Sequence, residues 1–180
     1  MFINPKIAIE QGWITGITDP DKQVQPNAID FTLDKLFTIN EGNTFIIDED
    51  NKKMRGGAEL NSWSARVGER EYWTIDKGVY DGMSDIYVNV PDGVACQLII
   101  RSTFNRNGIF LTSGLYDSGF KGHIGFAIHN RSGKAQIGVG TRIGQIIFVE
   151  SENALQYAGG YNHNKGEYTD RKCGILHSGD

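Results

Sequence analysis

The apolar residues of this chain come in short runs broken by glycine-bearing turns, a pattern that restricts it to a fold of many short strands. Val94–Ile100 and Arg142–Val149 have the length and β-branched content of buried strands. Gln25–Leu33 alternates, placing Ile29, Phe31 and Leu33 on one face and Asp30 and Thr32 on the other. Phe37–Ile39, Phe45–Ile47, Ser64–Val67, Tyr72–Ile75, Ile86–Val90, Ile109–Thr112 and Ile137–Val139 extend the strand set, and Asp48–Asn61 reads as a charged, exposed loop. Only two helical signals interrupt it. Asn4 can cap a helix that Pro5 begins and Gly12 ends, and Arg101–Gly108 resembles one helical turn closed by glycine. Twenty-three glycines against four prolines fit tight turns between strands. The expected fold is mainly β, a jelly roll or distorted β-barrel, in one domain over residues 1–180. Hydrophobic periodicity stops after Glu150, so residues 151–180 read as a mobile tail.

A net charge of -4 gives no basic surface for nucleic acid or anionic lipid, and no apolar run is long enough for a membrane span. Cys96 and Cys173 match no metal-site spacing and are compatible with a reducing cytoplasm.

The densest cluster of turn-forming residues is Thr112–Asn130, which reads as two strands joined through Gly114, Gly119, Gly122 and Gly125. Asp117 lies among Leu115, Tyr116 and Phe120. Apolar surroundings tune a carboxylate toward general-base work, although an Asp that only caps the turn has the same sequence. Arg101, Ser102 and Thr103 stand where a strand meets a helical turn, and suit either a phosphate cradle or a simple cap. Asp30 can hold Mg²⁺ through water or be a solvated strand residue. Gln145 faces a ligand or is a satisfied amide within its strand. Tyr157, Tyr161 and Lys165 suit either closure over a bound anion or a disordered tail. No Walker loop, dinucleotide fingerprint or zinc-deaminase signature is present.

Five segments, taken in order, resemble the motifs of the dUTPase / dCTP deaminase superfamily. They are Gln25–Asp30, Arg101–Gly108, Gly114–His123, Arg142–Gln145 and Tyr161–Gly166, which together span most of the chain. The resemblance implies a homotrimer with active sites between subunits and a deoxynucleoside triphosphate substrate. It makes Asp117 the water-activating base and Asp30 a water-mediated Mg²⁺ contact. Arg101, Ser102, Thr103 and Gln145 bind the triphosphate, Gly114, Leu115 and Phe120 the sugar and base, and the backbone of Ile124, Gly125 and Phe126 the base edge. Arg106 is a retained organising residue, and Tyr161, Asn164 and Lys165 form the tail motif that folds over the phosphates. Gly160 stands where the family usually has a lysine, and Asn162 and Asn164 replace glutamines.

The opening motif and the tail are closer to the deaminase branch, yet the catalytic glutamate of that branch corresponds here to Ala127. Alanine cannot pass a proton between water and a cytosine ring. The expectation is therefore a Mg²⁺-assisted dUTP diphosphatase that releases dUMP and pyrophosphate without deaminating dCTP. The alternatives are a diphosphatase for dCTP or a modified pyrimidine nucleotide, a dCTP deaminase, or a nucleotide-binding relative without turnover.

Overall fold

The computed structural model describes residues 1–48, 52–64, 69–152, 155–158 and 162. The elements in chain order are α1 (Pro5–Glu10), β1 (Ile14–Thr15), α2 (Pro20–Gln23), β2 (Ile29–Thr32), β3 (Lys35–Thr38), β4 (Ile46–Ile47) and β5 (Lys52–Lys53). Then come β6 (Tyr72–Ile75), β7 (Gly78–Asn89), β8 (Val94–Ile100), α3 (Ser102–Arg106), β9 (Ile109–Thr112), β10 (Lys121–Asn130), β11 (Ala135–Gly138) and β12 (Arg142–Glu150). The architecture is mainly β, in two larger sheets and two small ribbons, and agrees with a distorted jelly roll.

The first large sheet is built on β7. Along one edge it pairs with β10, which in turn pairs with β9; along the other it pairs with β3 and, further on, β1. The second has β12 between β2 and β8. All of these pairings are antiparallel. The sheets meet through side chains such as Phe31 on β2 and Phe126 on β10, whose ring centroids lie 5.2 Å apart. Burying two such rings supplies a large apolar area, and the tilted contact adds ~1 kcal/mol. Gly82 on β7 makes this packing possible, because a Cβ there would sit 2.6 Å from Cε2 of Phe126. Cys96 is a free thiol buried in the core.

Local chemistry explains the helices. The Asn4 side chain accepts from Lys6 N–H at 3.0 Å, Pro5 fits the first turn, and Gly12, with φ of 70°, carries the chain away. The short α2 is capped in the same way by Asp19, whose side chain accepts from Lys22 N–H.

Several expected boundaries move. Gln25–Leu33 is a strand only over Ile29–Thr32, because residues 25–28 form a turn closed by the Val24–Ile29 bridge. The loop expected over Asp48–Asn61 contains β5, which pairs with β4. Most of the segment Ser64–Val67 lies outside the described residues. The largest change is β7, expected only over Ile86–Val90 but beginning at Gly78. Among the described residues no helix is long and apolar enough to cross a membrane.

Candidate functional site

The structure gathers the sequence-derived site residues into two groups. The first stands at the end of the β2–β12–β8 sheet. Asp30 is buried, and it is not a solvated strand residue. Arg142 Nη1 donates to its Oδ2 at 2.9 Å and Gln145 Nε2 to its Oδ1 at 2.9 Å, with Arg101 Nε 3.8 Å from Oδ2. Arg101 Nη1 also donates to the Arg142 carbonyl at 2.9 Å. The register brings this about: Gln145 pairs with Asp30 across β2 and β12, while Arg101 N–H donates to the Ile143 carbonyl. One buried carboxylate thus holds two guanidinium groups and an amide in fixed directions, leaving their outer donors toward solvent.

Ser102, Thr103 and Arg106 are exposed on α3, which follows directly. The residue capping α3 is Arg101, with no side-chain hydrogen bond to the helix start, so Ser102 does not act as its cap. The two hydroxyls therefore lie beside the arginine pair without that structural duty.

The same geometry tests the expected magnesium contact. Both oxygens of Asp30 are engaged by donors and its charge is matched by Arg142 and Arg101. This donor set fits an ion-pair network and does not fit a resident cation held by Asp30. Among the described residues no cluster of three His, Cys, Asp or Glu side chains could hold a metal.

The second group surrounds a cavity of about 500 Å³ on the β7–β10–β9 sheet. Gly114, Leu115, Phe120, Gly125 and Phe126 line it, joined by Thr112, Tyr116, His123, Ala127 and Tyr157. The cavity exists because β9 stays paired with β10 only as far as Thr112 opposite Ala127. From Ser113 the chain swings out to bridge Tyr116 to Cys96 on β8. The Tyr116 hydroxyl fills part of the gap, donating to the Gly125 carbonyl at 2.7 Å while Gly125 N–H donates back to it at 3.1 Å. Burial pushes the pKa of this phenol up.

The Ile124 side chain is fully buried in the core, which leaves its backbone as the part expected to meet the base edge. Asp117 is exposed and lies outside the lining, its carbonyl accepting from Phe120 N–H at 3.0 Å, so this chain alone does not give it apolar surroundings. Tyr157 packs edge-on against Phe120, with centroids 5.5 Å apart, and its N–H donates to the Ser118 carbonyl at 2.7 Å. The tail residue Asn162 accepts from Lys121 N–H at 2.8 Å. Tyr161, Asn164 and Lys165 lie outside the described residues.

The most consequential cavity residue missed in the sequence is an acid. Asp81 on β7 is the direct cross-strand partner of Ala127, which pairs on its other side with Thr112. All three line the cavity. Burial pushes the Asp81 carboxyl up to about 7. A carboxyl group thus stands beside Ala127, on the adjacent strand. The signal was faint, because Asp81-Gly82-Met83-Ser84-Asp85 reads as a turn.

A family model described as dCTP deaminase-like matches residues 5–151. The chain belongs to the dCTP deaminase-like family. Among its relatives is a probable deoxyuridine 5'-triphosphate nucleotidohydrolase of Methanococcoides burtonii, 26% identical over 154 residues that cover 83% of this chain and 87% of the relative. Another is a dUMP-forming dCTP deaminase of Bifidobacterium animalis subsp. lactis, 28% identical over 158 residues, covering 84% of this chain and 79% of the relative. In fold, this dCTP deaminase-like chain is similar to the crystal structure of 2'-deoxycytidine 5'-triphosphate deaminase from Agrobacterium tumefaciens. The TM-score is 0.60 at 16% identity, with 82% of this chain covered. The chain spans about half of that structure, 47%.

Proposed function

We propose that this dCTP deaminase-like chain is a dUTP diphosphatase, converting dUTP and water to dUMP and pyrophosphate. The observation that carries the reading is the division of the site into two prepared halves. A rigid cationic cluster suited to phosphates stands on one sheet, and a cavity of base-and-sugar size stands on the other. Neither half shares a lining residue with the other, and a trimer would join them across a subunit boundary.

Arg101, Ser102, Thr103 and Gln145 bind the triphosphate oxygens, with Arg142 locked beside them through Asp30. Their outer donors offset the charge that builds on the leaving pyrophosphate. Asp117, exposed at the rim of the hairpin, gains its substrate and its drier surroundings from the neighbouring subunit. There it orients a water in line with the α-phosphorus and takes its proton as the P–O bond to pyrophosphate breaks. Phe120 packs under the deoxyribose and leaves no room for a 2′-hydroxyl. Mg²⁺ enters as part of the nucleotide substrate, where it neutralises phosphate charge. Arg106 stays as an organising residue of α3, and Tyr161, Asn164 and Lys165 complete the phosphate shell.

The relative named as a dUMP-forming dCTP deaminase keeps a second reading in view, namely action on dCTP. Ala127 argues against deamination, because a methyl group replaces the proton carrier. The deciding experiment incubates purified protein with each deoxynucleoside triphosphate and Mg²⁺ and resolves the products by chromatography. Pyrophosphate and dUMP from dUTP, with no ammonia from dCTP, are expected; dUTP left intact while dCTP yields ammonia would refute the reading. Light scattering on the same preparation should give the mass of three 20.0 kDa chains.

A further inference from the structure

The polar groups of the base cavity are largely spoken for. The Gly125 N–H and carbonyl are both taken by the Tyr116 hydroxyl. Thr112 Oγ1 is 2.9 Å from His129 Nε2, and the Ser113 hydroxyl donates to the Gly114 carbonyl at 3.0 Å. His123 is buried and packs edge-on against Tyr87. The Asp81 carboxyl, by contrast, has no hydrogen bond among the described residues, and it projects into the cavity beside the space that Ala127 leaves open. Nothing among the described residues explains a carboxyl at that place.

We propose that Asp81 is the specificity-determining residue of the cavity, reading the 4-position of the pyrimidine ring. The inference rests on the reading of this cavity as the base pocket of a nucleotide diphosphatase. A neutral carboxyl donates a hydrogen bond to a 4-oxo group, the edge of uracil. An ionised one repels that oxygen and accepts from a 4-amino group, the edge of cytosine. A pocket with one such group chooses between the two bases by its protonation state.

That state changes near neutrality, since burial holds the carboxyl proton up to about pH 7. The other titratable or charged groups on this face, by strand register, are His129 and His123 on β10, Lys35 on β3 and Asp85 on β7 itself, with the Tyr116 phenol across the cavity. Burial also raises Asp85, with Asp34 adding to the effect, whereas burial alone raises Asp81. Below pH 7 the pocket therefore selects dUTP, and above it the balance moves toward dCTP.

The test uses non-hydrolysable α,β-imido-dUTP and α,β-imido-dCTP, titrated calorimetrically into the full chain at pH 6 and pH 8. Wild-type protein should shift its relative affinity by about tenfold toward the dCTP analogue between the two pH values. Asp81→Asn should show the same ratio at both. A wild-type ratio that does not move, or a shift that survives in D81N, overturns the proposal. A second measurement needs no variant: titrations at pH 7 in two buffers of different ionisation enthalpy should show proton uptake with the dUTP analogue and release with the dCTP analogue. Absence of either overturns it too. Ammonia release from dCTP by wild type but not D81N would place Asp81 in catalysis and overturn its role in recognition. Because binding is the readout, loss of the diphosphatase reading through absent dUTP turnover leaves this result separately interpretable.

Discussion

Replacing Asp81 by Asn should stabilise the protein at alkaline pH and leave it unchanged in acid. The carboxyl rises from 3.8 to about 7 on folding, with burial as the sole cause. Between those values the folded chain holds a proton that the unfolded chain has released. Raising the pH therefore favours unfolding across that window. At ~1.4 kcal/mol per pH unit, a rise of about three units sets a ceiling of ~4 kcal/mol. The side chain is partly exposed, so about half of that, ~2 kcal/mol, is the working figure. The assay is urea unfolding of both proteins at equal concentration, from pH 4.5 to pH 8. D81N should equal wild type at the acid end and exceed it by ~2 kcal/mol at pH 8, with m unchanged. If the two proteins lose stability in parallel as pH rises, Asp81 is not held away from water.

Asp117→Asn keeps the shape of the side chain but removes its basic charge. Turnover of dUTP should fall by about 10²-fold or more while nucleotide still binds; near-normal turnover would make Asp117 a turn residue only. Asp30→Ala leaves Arg142, Arg101 and Gln145 without their shared acceptor and should cost ~3 kcal/mol in urea unfolding, together with weaker triphosphate binding. A neutral result would show that the arginines hold their positions unaided. Removing residues 159–180 spares the contacts of Tyr157 with Phe120 and Ser118, so the truncated protein should fold and bind weakly with greatly reduced turnover. Full activity would show that Tyr161, Asn164 and Lys165 are dispensable.

The parts of the fold that could be read in advance are those where burial falls on one face of a regular run. Tyr72–Ile75, Val94–Ile100 and Ile109–Thr112 are strands over the expected residues. The start of β7 was hidden because its inward positions are occupied by Gly82 and Ser84, small residues that carry no hydrophobic signal. Gly82 is small for a reason visible only across the sheet, where Phe126 takes the space of a side chain. Continuing the even positions Ile86, Val88 and Val90 backward would have reached Asp81 on the opposite face. The members of the arginine cluster were legible residue by residue, but the engagement of Asp30 was not. Arg142 and Asp30 are brought together by strand register, which depends on pairing between distant segments.

The long strand β7 has a consequence for how the molecule is assembled in time. Its partners are joined to it by no tight hairpin: Ile14 pairs with Val88, Lys35 with Met83 and Phe126 with Gly82, each from a remote part of the chain. Chain entropy must be given up before any of these pairings is rewarded, so folding is governed by slow, non-local search. Once formed, the strand is clamped along both edges, and its inner amide protons exchange with solvent only when the sheet comes apart as a whole. The cavity, which has this strand as one wall, shares that slow assembly and that protection.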